Sequence, residues 1–276
     1  MSPGRSGSLP GMTQTLDAPG ATLSYEVRGT GPVLVMIGHP MPSGGFDALA
    51  AQFPDRTVVL HDPRGTGEST MADPTQAPDP EVLADDLSRV IAAVTSEPVD
   101  VFGSSGGGIT ALVLASRHPG RVRTVVAHEP PLTGYLPDAA AVREQLAGVA
   151  ATYREQGLIP AMGAFMVVAG FTPPAPSPDA APPAPPSEAD QRSMTRMVLG
   201  IETVPTHRVD AAALPTERVR VGVGAWSGEA LTGRTSRAVA AELGVPLEVF
   251  PGGHGGFHPD QGGDPVAFAA VLRSLL

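Results

Sequence analysis

The chain has 276 residues, enough for one large domain with a substantial hydrophobic core, and its formal charge of -10 argues against nucleic acid or an anionic membrane as a partner. It has no cysteine and all eighteen basic residues are arginine, which excludes disulfides, thiolate nucleophiles, cysteine-ligated zinc and Schiff-base lysines. No continuous apolar segment reads as a signal peptide or a membrane span, so the expectation is a cytoplasmic protein with a mobile tail over residues 1–18.

Short β-branched runs then alternate with helix-like stretches, the rhythm of a mostly parallel sheet with helices on both faces. Strands are predicted at 22–28, 32–38, 56–62, 99–104, 122–129, 218–224 and 246–251. The first two are joined only by Gly29, Thr30 and Gly31, which predicts a hairpin, since a parallel crossover needs a longer link. Asp79 can cap a helix whose Leu83, Leu87, Val90, Ile91 and Val94 form one apolar stripe. Further helices are predicted at 44–53, 106–117, 234–243 and 264–275.

The rhythm breaks over residues 132–212. Val142, Leu146, Val149 and Tyr153 mark an amphipathic helix, an apolar run follows Pro160, eight prolines crowd residues 172–187, and a helical pattern resumes near 192. The predicted organisation is an α/β core domain over 19–131 and 213–276, with 132–212 inserted as a helical lid that carries a proline-rich loop at 172–187.

Gly103, Ser104, Ser105, Gly106 and Gly107 stand in the register G-x-S-x-G between a strand and a helix, the context of a nucleophile elbow. Ser105 is the candidate nucleophile, with Ser104 turned elsewhere. The Gly106 amide, at the start of the following helix, is one candidate oxyanion donor, and the His39 amide in "GHPMP" is the other. His254, in the glycine-rich loop after the last strand, is the candidate general base, and His258 is read as a surface residue. Glu129, followed by Pro130 and Pro131 at a strand end, is preferred as the acid, with Glu229 the alternative; Asp62 at another strand end is expected to pair with Arg64. Met162, Phe165, Met166, Met197 and Trp226 are candidate pocket residues.

With "GHPMP", "HDPRGTGES", "GSSGG" and "PGGHGGF" in this order, the chain resembles the α/β-hydrolase superfamily, and within it actinobacterial serine hydrolases related to proline-type esterases and cofactor-free haloperoxidases. The resemblance implies the α/β-hydrolase fold and acyl-enzyme chemistry, with no metal or organic cofactor. In the superfamily the acid usually follows the strand at 218–224, where this chain reads "GAWSGE"; "HEPP" at Glu129 is similar to the placement in pancreatic-type lipases. Dehalogenases and epoxide hydrolases of the fold use aspartate where this chain has Ser105. The expected activity is hydrolysis of an ester, lactone or related acyl bond of a small to medium, partly apolar molecule. An acyltransferase or polyketide-processing enzyme, a perhydrolase and a non-catalytic ligand-binding protein are the alternatives, and a homo-oligomer is left open.

Overall fold

The computed structural model describes residues 11–171 and 186–276. Apolar residues at successive positions of the central strands alternate between two faces, and this decides the layering. On β3 (Val33–His39), Val35 and Ile37 join the cluster under α2 (Pro80–Val94), α3 (Gly106–Arg117) and α7 (Leu231–Leu243), while Leu34 and Met36 face the opposite cluster with Phe46, Phe102 and Phe268. Strands buried on both faces must sit inside a sheet covered by helices on both sides.

Nine strands form that sheet among the described residues. The remaining ones are β1 (Met12–Ala18), β2 (Ala21–Arg28), β4 (Thr57–Asp62), β5 (Thr70–Met71), β6 (Val99–Ser105), β7 (Val122–His128), β8 (Val219–Gly224) and β9 (Leu247–Phe250). Their order is β1-β2-β4-β3-β6-β7-β8-β9, with the short β5 on β2. From β4 to β9 every pairing is parallel, and β2 joins this block antiparallel to β4.

Two expectations are corrected at this end of the sheet. Residues 12–18 are not a tail: they pair with β2 through a Pro19–Gly20 turn, in register from Met12–Val27 to Ala18–Ala21. The polar run reads as unstructured because β1 is an edge strand whose side chains mostly face solvent. Nor do β2 and β3 form a hairpin, since β4 inserts between them. The link runs across the start of β4, where side chains at Gly29 (φ 71°) and Gly31 (φ 131°) would strike the Arg56 and Asp55 carbonyls.

The predicted helix at 44–53 is shorter, a 3-10 turn (Ser43–Phe46) running into α1 (Asp47–Ala50). Helix α2 is capped by Asp79, whose carboxylate accepts the Glu81 amide at 2.9 Å, and it buries Leu83, Leu87, Val90 and Ile91 against the sheet. Arg64 forms a two-bond ion pair with the fully buried Asp86 of α2 at 2.6 and 2.8 Å, so its expected pairing with Asp62 is corrected. Asp62 instead accepts the amides of Ser43 and Glu68. Between β7 and β8 come α4 (Ala139–Gln156), α5 (Leu158–Ala169) and α6 (Glu188–Gly200), which share a third apolar cluster with Leu231 of α7. Most of the proline-rich stretch, 172–185, lies outside the described residues, as do residues 1–10 of the predicted tail. Helix α8 (Pro265–Leu275) closes the second face. Among the described residues no helix is long and apolar enough to cross a membrane.

Candidate active site

A strand that runs directly into a helix must reverse its backbone within one residue, and here that residue is Ser105. It ends β6, caps α3 and has φ 58° and ψ −127°, a strained conformation for a side-chain-bearing residue. The turn is possible because α3 lies hard against β3: a Cβ on Gly107 would strike the Ile37 carbonyl. Ser105 therefore stands at the C-terminal edge of the parallel sheet, opposite His39 in the β3–β6 register, with the Gly106 amide in the first turn of α3. Ser104 turns away and shares a 3.2 Å hydrogen bond with Nδ1 of the buried His128.

His254 reaches the same edge from the loop after β9, and its Nδ1 lies 2.7 Å from a carboxylate oxygen of Glu129. Glu129 is the residue immediately after β7, has φ 49° and is fully buried. Its first oxygen accepts the Gly224 amide at 2.8 Å and the Ser227 hydroxyl; its second accepts the Thr232 hydroxyl at 2.6 Å as well as His254. Burial acts to raise its pKa, but the His254 contact and these donors outweigh burial and hold the carboxyl well below the usual carboxylate range. Burial likewise lowers His39 and His128 to about 4, with the charge of Arg196 adding to the effect at His39.

Two cavities meet at these residues. The first, about 390 Å³, is apolar and runs between α4, α5 and α6, with Leu146, Met162, Phe165, Met166, Phe171 and Met197 on its walls. The second, about 450 Å³, is bounded by Met41, Ser193, Met194, Phe257 and Gln261. Both are lined by His39, Ser105 and His254. Among the described residues no group of three or more His, Asp or Glu side chains is arranged to hold a metal ion.

Residues 31–166 match the family model described as the α/β hydrolase fold. The chain has the α/β-hydrolase fold. Over 125 residues it is 38% identical to the uncharacterized hydrolase YraK of Bacillus subtilis, a match covering 42% of this chain and 44% of that protein. The matched stretch thus spans less than half the length of that relative. Two solved structures superimpose over nearly the whole chain. The enol-lactonase from Burkholderia xenovorans LB400 has a TM-score of 0.66 at 17% identity, covering 95% of this chain and 99% of its own. A thermophilic esterase from Thermogutta terrifontis has a TM-score of 0.64 at 19% identity, covering 96% and 99%. At such identities these two likenesses speak for the fold alone.

Within this α/β-hydrolase frame, the structure brings Ser105, His254, Glu129, Gly106 and His39 to one sheet edge, with Met162, Phe165, Met166 and Met197 around one cavity. Two expected residues lie elsewhere. Trp226 is 77% exposed and lines neither cavity, because the turn after β8 directs it outward. The side chain of Glu229, the alternative acid, is 89% exposed and pairs with Arg237. His258 is half-buried and not a surface residue. Sequence reasoning missed Leu146 and Phe171 as cavity walls and Ser227 and Thr232 as donors to Glu129. The helical stripe of Leu146 was visible; the two hydroxyls carry no local signal.

Proposed function

We propose that this chain is a serine hydrolase that cleaves an ester, lactone or related acyl bond of a small to medium, partly apolar molecule through an acyl-enzyme. The observation that carries the reading is the 2.7 Å contact of Glu129 with His254 Nδ1 at the same cavity edge as the strained Ser105. In this reading Nδ1–H is held toward the carboxylate, which leaves Nε2 to take the Ser105 proton as the hydroxyl attacks the carbonyl. Charge on the carbonyl oxygen is met by the amides of Gly106 and His39; the next residue, Pro40, has no N–H to offer. Water activated by His254 then releases the acyl group. The apolar cavity takes the acyl chain, and α4 to α6 act as a lid over it. The reading needs no cofactor.

Labelling with a fluorophosphonate tests this directly. Modification of Ser105, lost in Ser105→Ala together with hydrolysis of p-nitrophenyl butyrate and kept in Ser104→Ala, is the expected result; label on Ser104 would reject the register of the elbow.

A further inference from the structure

Helix α6 passes the sheet edge with two different faces. Asp190, Ser193, Met194 and Met197 recur at helical spacing on one of them, and all four line the cavities that meet at Ser105. Glu188, Arg192 and Arg196 line a third cavity instead, with Gly65 and Glu68 of the loop after β4. Both arginines are engaged on that side: Arg192 donates to the Gly67 carbonyl at 3.4 Å, and Arg196 donates to the Gln76 carbonyl. The helix thus turns its cations away from the nucleophile and one carboxylate toward it.

That carboxylate gives the second cavity its sign. Besides Asp190, no arginine, aspartate or glutamate lines this cavity among the described residues. Asp190 accepts the Ser187 amide at 3.1 Å and the Ser187 hydroxyl at 2.6 Å, both at the same oxygen, in the capping box of α6. These donors hold its pKa below the usual aspartate value, and no ion pair engages it among the described residues. One turn along the same face, Ser193 is 5% exposed, and its hydroxyl is closed to solvent without a hydrogen-bond partner. A buried hydroxyl left unpaired is costly, and an occupant of the cavity that it lines can satisfy it.

We infer that the second cavity seats the leaving group, and that this group carries an ammonium held by Asp190 with Ser193 as second acceptor, so that the substrate class is the ester of an ammonium-bearing alcohol or phenol. The inference rests on the serine-hydrolase reading, in which the acyl part occupies the cavity walled by methionine, phenylalanine and leucine. The Ser193 hydroxyl meets the ammonium by turning about χ1, a rotamer change of the kind common at binding surfaces. Attack by Ser105 forms the acyl–oxygen bond and breaks the ester C–O bond, and the ammonium-bearing alcohol leaves with the proton held by His254. Water then cleaves the acyl-enzyme. The imidazolium formed on the way is offset by Glu129, 2.7 Å from its Nδ1, so a second cation nearby is not opposed by a net positive charge.

The test compares 3-(aminomethyl)phenyl butyrate with 3-ethylphenyl butyrate, which differ by an ammonium in place of a methyl. The ratio of their kcat/KM values is followed from protein to protein, so that the intrinsic reactivity of the two esters cancels. Asp190→Asn should lower the ratio about three- to fivefold, the size expected of an ion pair open to solvent, and Asp190→Glu should keep part of it. Asparagine retains an acceptor for Ser187, so α6 keeps its cap. Ser193→Ala should lower the ratio about twofold, and an unmoved ratio there overturns the part given to the hydroxyl. Glu188→Gln removes the same charge from the other face of α6 and should leave the ratio unchanged. A ratio unmoved by Asp190→Asn overturns the site, and so does an equal fall in Glu188→Gln, which would trace the preference to the net charge of -10. Calorimetric titration of 3-(aminomethyl)phenol into Ser105→Ala separates the two readings. If no ester is cleaved and Ser105 takes no label, binding that Asp190→Asn weakens by the same factor still upholds the site, and binding that is absent or unchanged overturns it.

Discussion

Glu129 keeps a negative charge in a fully buried position because four donors surround it: the Gly224 amide, two hydroxyls and the His254 ring. Glu129→Gln would remove the charge that faces the imidazole and set an amide NH2 among groups that themselves donate. In the proposed mechanism that substitution lowers kcat by on the order of 10³, since both tautomer and transition-state charge of the histidine lose their partner. Glu229→Gln, on a side chain turned to solvent, should leave kcat within about twofold, the range expected of a residue that touches no reacting group. Steady-state kinetics on p-nitrophenyl butyrate distinguishes the two; equal losses would remove Glu129 from the mechanism.

Among the elements, α2 and the loop after β4 are joined by charge as well as by packing. Asp86 is fully buried and accepts both Nε and Nη2 of Arg64, so Asp86→Ala strands a buried guanidinium. Breaking a buried pair from one side costs about 3 to 5 kcal/mol. A urea unfolding curve should show a loss of that size, and a change under about 1 kcal/mol would mean that solvent reaches Arg64. The helices α4 to α6 act on the other side of the sheet edge. Met162 and Phe165 wall the apolar cavity, so Met162→Trp should shorten the acyl chain that is accepted. A p-nitrophenyl ester series from acetate to octanoate should show kcat/KM falling for the longer chains and holding for acetate; an unchanged profile would place the acyl chain elsewhere.

Across the whole molecule, three buried histidines set the response to acid, and burial lowers His61 in the same direction as the other two. His39 and His128 are held neutral, each with a pKa lowered to about 4 by burial, against about 6.5 when unfolded. Below pH 6.5 the unfolded chain therefore binds protons that the folded chain does not, so stability falls as pH drops toward 4. The lowered Glu129 pKa acts in the same direction at lower pH, because its folded form resists protonation. His39 and His128 should each remove about 2 kcal/mol between pH 7 and 5. Denaturation midpoints at those two values check this, and equal midpoints would show that water reaches both rings.

The local features were legible without coordinates because they depend on neighbours along the chain. Strand, tight turn and helix around Ser105 follow from a β-branched run, glycines and an apolar helical pattern, and the Asp79 cap and α2 stripe from the same kind of spacing. The α/β layering was legible too, since strands apolar at every position need cover on both faces. Pro19–Gly20 marks the turn before β2, but the polar β1 conceals its partner, because an edge strand needs no apolar face. That β4 separates β2 from β3 has no local signal, because crossover geometry and not the short link sets it. The same holds at the site. Glu129 and Glu229 both follow strands that end on one sheet edge; what separates them is 125 residues of intervening chain that returns His254, Ser227 and Thr232 to the first carboxylate, while the turn after β8 sends the second into water.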